Sequence, residues 1–283
     1  MEYTLSIQSD QAELAAVVHE PQWTGKEANR ESDSDENTEL FPLIIICHGF
    51  VGNKMGTDRL FVKTARELSS QGFMVIRFDY GGCGESTGEY GKGGLDAFIE
   101  QTRKVLDYGL SLEGVDPERV ILIGHSLGGA TAILTAVEDT RVKTVVMWAA
   151  VAHPLNNIVN IVGKPVYEEA IRKGKADYLG YDLHTSFFES LGKYQPFLQQ
   201  IGQFKGDVLL LHGTADDVIP VDYCFLYQRV FWLRGDGQCD KEVILQGNHT
   251  FSSKESYEQV IKKTAEWLKY IDKRKNDWQD WAI

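Results

Sequence analysis

Apolar and polar positions along this chain fall into short blocks that change period. Tyr3–Gln8 alternates apolar with polar, and Glu13–His19 is a second β-prone run beyond the polar Ser9-Asp10-Gln11. A strand hairpin is the expectation. Pro42–His48 is an unbroken apolar run, the pattern of a strand covered on both faces by helices. Leu60, Phe61, Ala65 and Leu68 recur at helical spacing within Thr57–Ser70. Gly72 closes that helix, and Phe73–Tyr80 is the next buried strand. A helix over Leu95–Leu112 comes after it, with Phe98, Ile99, Val105, Leu106 and Tyr108 on its apolar face. Asp116-Pro117 is expected to turn the chain into a strand at Val120–Ile123. Strand Val142–Ala150 comes next, then strand Asp207–His212, helix Tyr223–Leu233, strand Glu242–Gln246 and helix Glu255–Lys273.

This alternation predicts an α/β fold: a mostly parallel, doubly wound sheet with helices on both faces and an antiparallel hairpin at the N-terminus. The rhythm breaks at His153–Lys205, where glycine-punctuated helical pieces rich in Tyr, Phe and Ile intervene. The expected organisation is a core of residues 1–152 and 206–283 with a cap insertion at 153–205. Pro21–Leu40 is polar and acidic and is expected to be a mobile linker.

Charge narrows the partners. At 283 residues and a net charge of −12, the chain lacks the basic face that nucleic-acid binding calls for. No segment approaches the ~18 apolar residues of a membrane span. Met1–Val18 has neither a basic start nor a continuous apolar stretch, so no signal peptide and a cytoplasmic location are expected. The four cysteines (Cys47, Cys83, Cys224, Cys239) show no paired spacing, and the three in or beside apolar stretches, all but Cys83, are expected as buried free thiols. Oligomeric state is left open.

Candidate chemistry centres on Val120–Ala130. A strand runs into Gly124-His125-Ser126-Leu127-Gly128, and a helix-favouring run comes directly after. A serine pinched between strand and helix sits on a strained turn that holds its hydroxyl out at the carboxyl edge of the sheet. Ser126 is the expected nucleophile. It needs a base and a group to orient that base, both from later strand ends. Seven histidines compete. His249 lies in a loop between a C-terminal strand and helix, among small polar neighbours, and is the expected base. His19, His48 and His212 suit structural hydrogen bonds, and His153 and His184 fall in the insertion. Asp216 is favoured as the acid over the adjacent Asp217, which is expected to cap the next element, while Asp222 suits the N-cap of the next helix. The oxyanion donors are expected to be the N–H groups of Leu127, after the nucleophile, and Phe50, in the glycine-rich loop after the PLIIIC strand. Phe50, His125, Val218 and Ile219 are expected at the substrate. No metal or organic cofactor is expected.

The motifs HGF at 48–50, FDYGGCGESTG at 78–88, GHSLGG at 124–129, HGTADDVIP at 212–220 and GNHTF at 247–251 resemble those of the α/β-hydrolase superfamily. Within it they are most similar to the branch of cinnamoyl and feruloyl esterases, serine-aminopeptidase-like carboxylesterases and monoacylglycerol-lipase relatives. The resemblance runs from about residue 40 to the end of the chain. It implies the α/β-hydrolase fold, a cap over the active site, Asp216 as the acid, and Phe50 and Leu127 as oxyanion donors. Cys83, in the loop Gly82-Cys83-Gly84, is expected to pack beneath it. The activity implied is hydrolysis of small to medium acyl or aryl esters through an acyl-enzyme. Thioester, lactone or small-peptide cleavage at the same triad is the alternative, and an idle hydrolase fold used as a binding module is a more distant one.

Overall fold

The structure, a computed structural model, describes residues 1–22, 40–200 and 202–279, with side chains through 274. The expected acidic linker lies almost wholly outside the described residues. An eight-stranded sheet organises the rest. Its strands are β1 (Glu2–Gln8), β2 (Glu13–His19), β3 (Phe41–Cys47), β4 (Met74–Phe78), β5 (Val115–His125), β6 (Val142–Trp148), β9 (Asp207–Gly213) and β10 (Cys239–Ile244). They lie in the order β1-β2-β4-β3-β5-β6-β9-β10. Strands β1 and β2 form the predicted antiparallel hairpin, and β2 continues antiparallel onto β4. From β4 onward all neighbours are parallel.

The unbroken apolar runs have the physical reason expected of them: both faces of the sheet are covered. In β3, Leu43, Ile45 and Cys47 pack with helices α2 (Tyr90–Leu110) and α3 (Leu127–Glu138). The intervening Ile44 and Ile46 pack with α1 (Leu60–Ser70) and α9 (Lys254–Gln279). Each such side chain, fully withdrawn from water, contributes about 1.5–3 kcal/mol.

Several boundaries differ from expectation. Asp116-Pro117 does not precede the strand leading to Ser126 but lies inside β5. Val115 and Asp116 pair with Phe41 and Pro42, and the register then shifts so that Val120 meets Leu43. The intervening residues bulge out, which suits a proline with no N–H for the ladder. Helix α2 starts at Tyr90, with Gly94 non-helical at φ 55°, ψ −144°. A Cβ there would lie 2.8 Å from Ser190 Cβ, so the break admits the helix that crosses it. Strand β10 begins at Cys239 and ends at Ile244. Its last apolar neighbour, Leu245, is exposed, and Gln246 turns the chain at φ 60°.

Residues 153–205 are not only helical. Helices α4 (Pro154–Val162) and α5 (Lys164–Lys173) lead into an antiparallel pair, β7 (Lys175–Tyr178) and β8 (Tyr181–His184), before α6 (Thr185–Lys193) and α7 (Pro196–Gln199). Leu179 and Gly180 both take positive φ (53° and 84°), as a two-residue hairpin turn between right-twisted strands requires. Helix α8 (Asp222–Phe231) comes after β9, with Asp222 as its first residue and Val221 at the N-cap, so neither Asp217 nor Asp222 serves as that cap.

Candidate active site

Strand β5 delivers the chain to Ser126 at the central edge of the sheet, and the backbone there takes φ 58°, ψ −120°. Non-glycine residues avoid this region, so surrounding contacts must hold it. Ser126 N–H donates to Trp148 O (2.8 Å), while Ser126 O accepts from Gly129 N–H (3.0 Å) and Val151 N–H (3.1 Å). The flanking glycines let α3 start directly against the strand. A Cβ on Gly124 would lie 2.1 Å from Gly128 O, and one on Gly128 would lie 2.2 Å from Cys47 O.

The Ser126 hydroxyl faces a cavity of about 260 Å³ whose wall includes Gly49, Phe50, His125, His249 and Thr250. Gly49 lies close enough that a Cβ there would sit 3.6 Å from Ser126 Oγ. Leu127 N–H opens α3, and Phe50 N–H lies in the loop after β3. Neither is taken by an acceptor among the described residues. The Phe50 ring turns toward Tyr178 and Phe187, with centroids 5.6 and 5.9 Å away.

The loops after β9 and β10 are zipped together. Thr214 N–H donates to Ile244 O (3.0 Å) and Ala215 N–H to Gly247 O (2.9 Å). Gly213 permits this approach, since a Cβ there would lie 2.1 Å from Gly247 O. The result brings residues 216 and 249 into contact: His249 Nδ1 lies 2.8 Å from Asp216 Oδ2, a carboxylate with no exposed surface. Oδ1 of the same carboxylate accepts the N–H groups of Val218 (2.9 Å) and Ile219 (2.8 Å). Burial alone would favour the neutral acid. Hydrogen bonds from His212 and His249, with the Ile219 N–H, outweigh it and hold the Asp216 carboxyl well below the usual carboxylate range.

The expected residues therefore divide. Phe50, His125, Ser126 and His249 share one cavity wall. Asp216 reaches that group through His249, and Leu127 stands next to Ser126. Among the described residues Ser126 Oγ has no hydrogen-bond partner, so the His249 ring shares its cavity without a formed bond to it. Val218 and Ile219 do not line this cavity; their N–H groups fold back onto Asp216. Asp217 is exposed.

Several groups around the site are not evident from the sequence. His125 Nε2–H donates to His249 O (2.7 Å), tying the turn at Ser126 to the loop after β10. Lys54, 7% exposed, sits over Asp79: both its N–H and its Nζ donate to that carboxylate at 2.5 Å, and Glu85 N–H adds a third bond at 2.9 Å. This pair binds the loop of Phe50 to the loop after β4. The usable signal in the sequence is Asp79, a lone acid at the end of an apolar strand. Cys83 is buried in that loop as expected, and burial pushes its thiol up to about 12. All four cysteines are free and buried. No group of His, Cys, Asp or Glu side chains among the described residues has the arrangement of a metal site, and no described helix is long and apolar enough to cross a membrane.

His48 supports the Phe50 loop from beneath. Its Nδ1–H donates to Gly49 O (2.8 Å) and its Nε2 accepts from Tyr80 N–H (3.0 Å), an arrangement that requires the neutral ring. Burial lowers its pKa to about 4, below the ordinary histidine value of about 6.5. The unfolded chain binds the extra proton first, so the stability from this group is full above about pH 6.5 and is lost as pH falls toward 4. Urea unfolding at pH 7 and pH 4.5 should show a drop in midpoint that is smaller in His48→Gln than in the wild type. Equal drops would show that His48 is not buried neutral.

Comparison with known proteins gives the same outline. Residues 42–168 match a family model described as the α/β hydrolase fold. An uncharacterized 31.7 kDa protein of the traX-finO intergenic region of Escherichia coli is 39% identical over 111 residues, which is 39% of this chain and 38% of that protein. The chain thus aligns with under two fifths of that curated relative's length. Among solved structures, Est1E from Butyrivibrio proteoclasticus with bound ferulic acid superposes with a TM-score of 0.76 at 22% identity, covering 93% of this chain and 97% of that one. The esterase domain of a Rhodothermus marinus protein superposes with a TM-score of 0.64 at 20% identity, covering 94% and 97%. By its strand order, its strained serine turn and the match over residues 42–168, this chain is an α/β-hydrolase-fold protein.

Proposed function

We propose that the chain is a serine hydrolase that cleaves small to medium acyl or aryl carboxylic esters through an acyl-enzyme. The observation that carries this reading is the 2.8 Å bond between His249 and a buried Asp216, with Ser126 on a strained turn facing the same cavity. Ser126 Oγ attacks the ester carbonyl while His249 Nε2 takes its proton. Asp216 holds the Nδ1–H tautomer and stabilises the imidazolium that forms. The N–H groups of Phe50 and Leu127 receive the oxyanion. The tetrahedral intermediate then collapses as His249 protonates the departing alkoxide. Water, deprotonated by the same ring, releases the acid and regenerates the serine.

In this reading residues 153–205 form a cap on a core of residues 1–152 and 206–283. Ile158 and Phe188 are buried, whereas Phe187 and half-buried Tyr178 pack against the Phe50 ring and half-buried Tyr181 against Tyr90. The two structural neighbours, one solved with ferulic acid and one an esterase domain, support ester chemistry for this chain. A cytoplasmic location belongs to the same proposal, since four free buried thiols suit a reducing compartment.

The test is labelling with a fluorophosphonate, with the adduct located by mass spectrometry, beside turnover of p-nitrophenyl acetate, an aryl ester, a thioester, a lactone and a dipeptide. The expected result is an adduct on Ser126 and fastest turnover of the esters. Failure to label overturns the hydrolase reading, and preference for the thioester, lactone or peptide overturns the ester assignment.

A further inference from the structure

Asp216 serves two imidazoles. Besides His249 Nδ1, its Oδ2 has His212 Nε2 at 3.0 Å, and the same nitrogen lies 3.0 Å from Ile219 O. A carboxylate and a carbonyl both accept, so this nitrogen must carry a hydrogen, which fixes the His212 tautomer. His212 is 1% exposed and projects from the end of β9, immediately before Gly213. Its bond to Ile219 O pulls in the far end of the turn whose N–H groups hold Oδ1. The carboxylate is therefore clamped from four directions: Val218 and Ile219 on one oxygen, His212 and His249 on the other.

We infer that His212 is a positioning residue whose Nε2–H, given to the oxygen that also receives His249, fixes the carboxylate's orientation and draws off part of its charge, so setting the basicity of His249. The inference rests on the reading of His249 as general base, but its structural core does not require turnover. The titratable groups facing the cluster are few. Asp216 and His249 come from the loops after β9 and β10, and His125 faces them from the end of β5, its Nε2–H on His249 O. Burial keeps His125 neutral, lowering its pKa to about 3. The remaining lever on the shared oxygen is therefore the His212 donor. Without it, Oδ2 holds more charge, the imidazolium of His249 is better stabilised, and the ring gives up its proton at higher pH.

The geometry selects the variants. A glutamine amide places its nitrogen near the Nε2 position of histidine, whereas asparagine stops near Nδ1 and does not reach Asp216. His212→Asn is expected to lower kcat on p-nitrophenyl acetate about tenfold with KM within about twofold. The acid limb of its kcat/KM profile should move up by about half a pH unit. His212→Gln should restore both toward the wild type. In parallel, the His249 imidazole is titrated by NMR in the full-length wild type and both variants, where the midpoint should rise in His212→Asn and return in His212→Gln. An unmoved midpoint in His212→Asn, or a glutamine variant as displaced as the asparagine one, overturns the inference. A wild type that hydrolyses none of the esters overturns the ester assignment alone, one that also fails to label overturns the hydrolase reading, and in both cases the NMR arm still decides the role of His212.

Discussion

Ser126→Ala is expected to lower kcat for ester hydrolysis by ~10⁴–10⁶-fold and to remove fluorophosphonate labelling. Serine and alanine share a Cβ, so the variant meets the same steric demand at φ 58° and keeps the bonds from Ser126 N–H to Trp148 and from Gly129 and Val151 to Ser126 O. The group that disappears is the Ser126 hydroxyl, on the cavity wall that His249 shares. Stability should change by less than ~1 kcal/mol, so the loss would be chemical and not structural. His249→Ala should cost nearly as much, and the double variant little more than either, because a base without its nucleophile has no proton to take. Urea midpoints measured beside kcat separate the two causes. Turnover within tenfold of wild type in a folded Ser126→Ala protein would move the nucleophile elsewhere.

Much of this is legible in the chain because it depends on local rules. A strand of apolar residues ending in Gly-His-Ser-Leu-Gly forces a tight turn whatever surrounds it, and the clashes that a Cβ on Gly124 or Gly128 would meet are its direct consequence. Chain order likewise puts Asp216 and His249 after adjacent parallel strands, β9 and β10, whose loops then meet. The illegible part depends on contacts distant in sequence. The second bond of Asp216 requires knowing that His212 points along the turn and not into the core, although a histidine and an aspartate four residues apart across a glycine are a usable hint. The pairing of Lys54 with Asp79 joins two loops that no periodicity connects. The bulge at Pro117 and the short β7–β8 hairpin arise from partner strands rather than from their own composition. Val218 and Ile219, apolar and close to Asp216, invite assignment to substrate; in the fold the turn also bends their N–H groups onto Oδ1.

That same turn makes Asp216→Asn the second large effect, expected at ~10⁴-fold in kcat, against less than about twofold for Asp217→Asn. Oδ1 faces two backbone N–H groups that cannot become acceptors, so an asparagine must present its carbonyl oxygen there. Its NH₂ then replaces Oδ2 and meets two imidazole nitrogens, both of which were donors. His249 can accommodate that only by turning Nδ1 into an acceptor, which moves its proton to Nε2. A ring protonated at Nε2 has no lone pair for the Ser126 hydrogen, and the fixed negative charge that stabilised the imidazolium is gone as well. Asp217 is exposed at the next position, with its side chain outside this hydrogen-bond set, so its amide should be nearly silent. Steady-state kinetics on p-nitrophenyl acetate for the two variants, with unfolding curves to show that both fold, ranks them directly. If Asp217→Asn proves the more damaging, the orienting acid is Asp217, and the four bonds seen on Asp216 serve only to shape the turn.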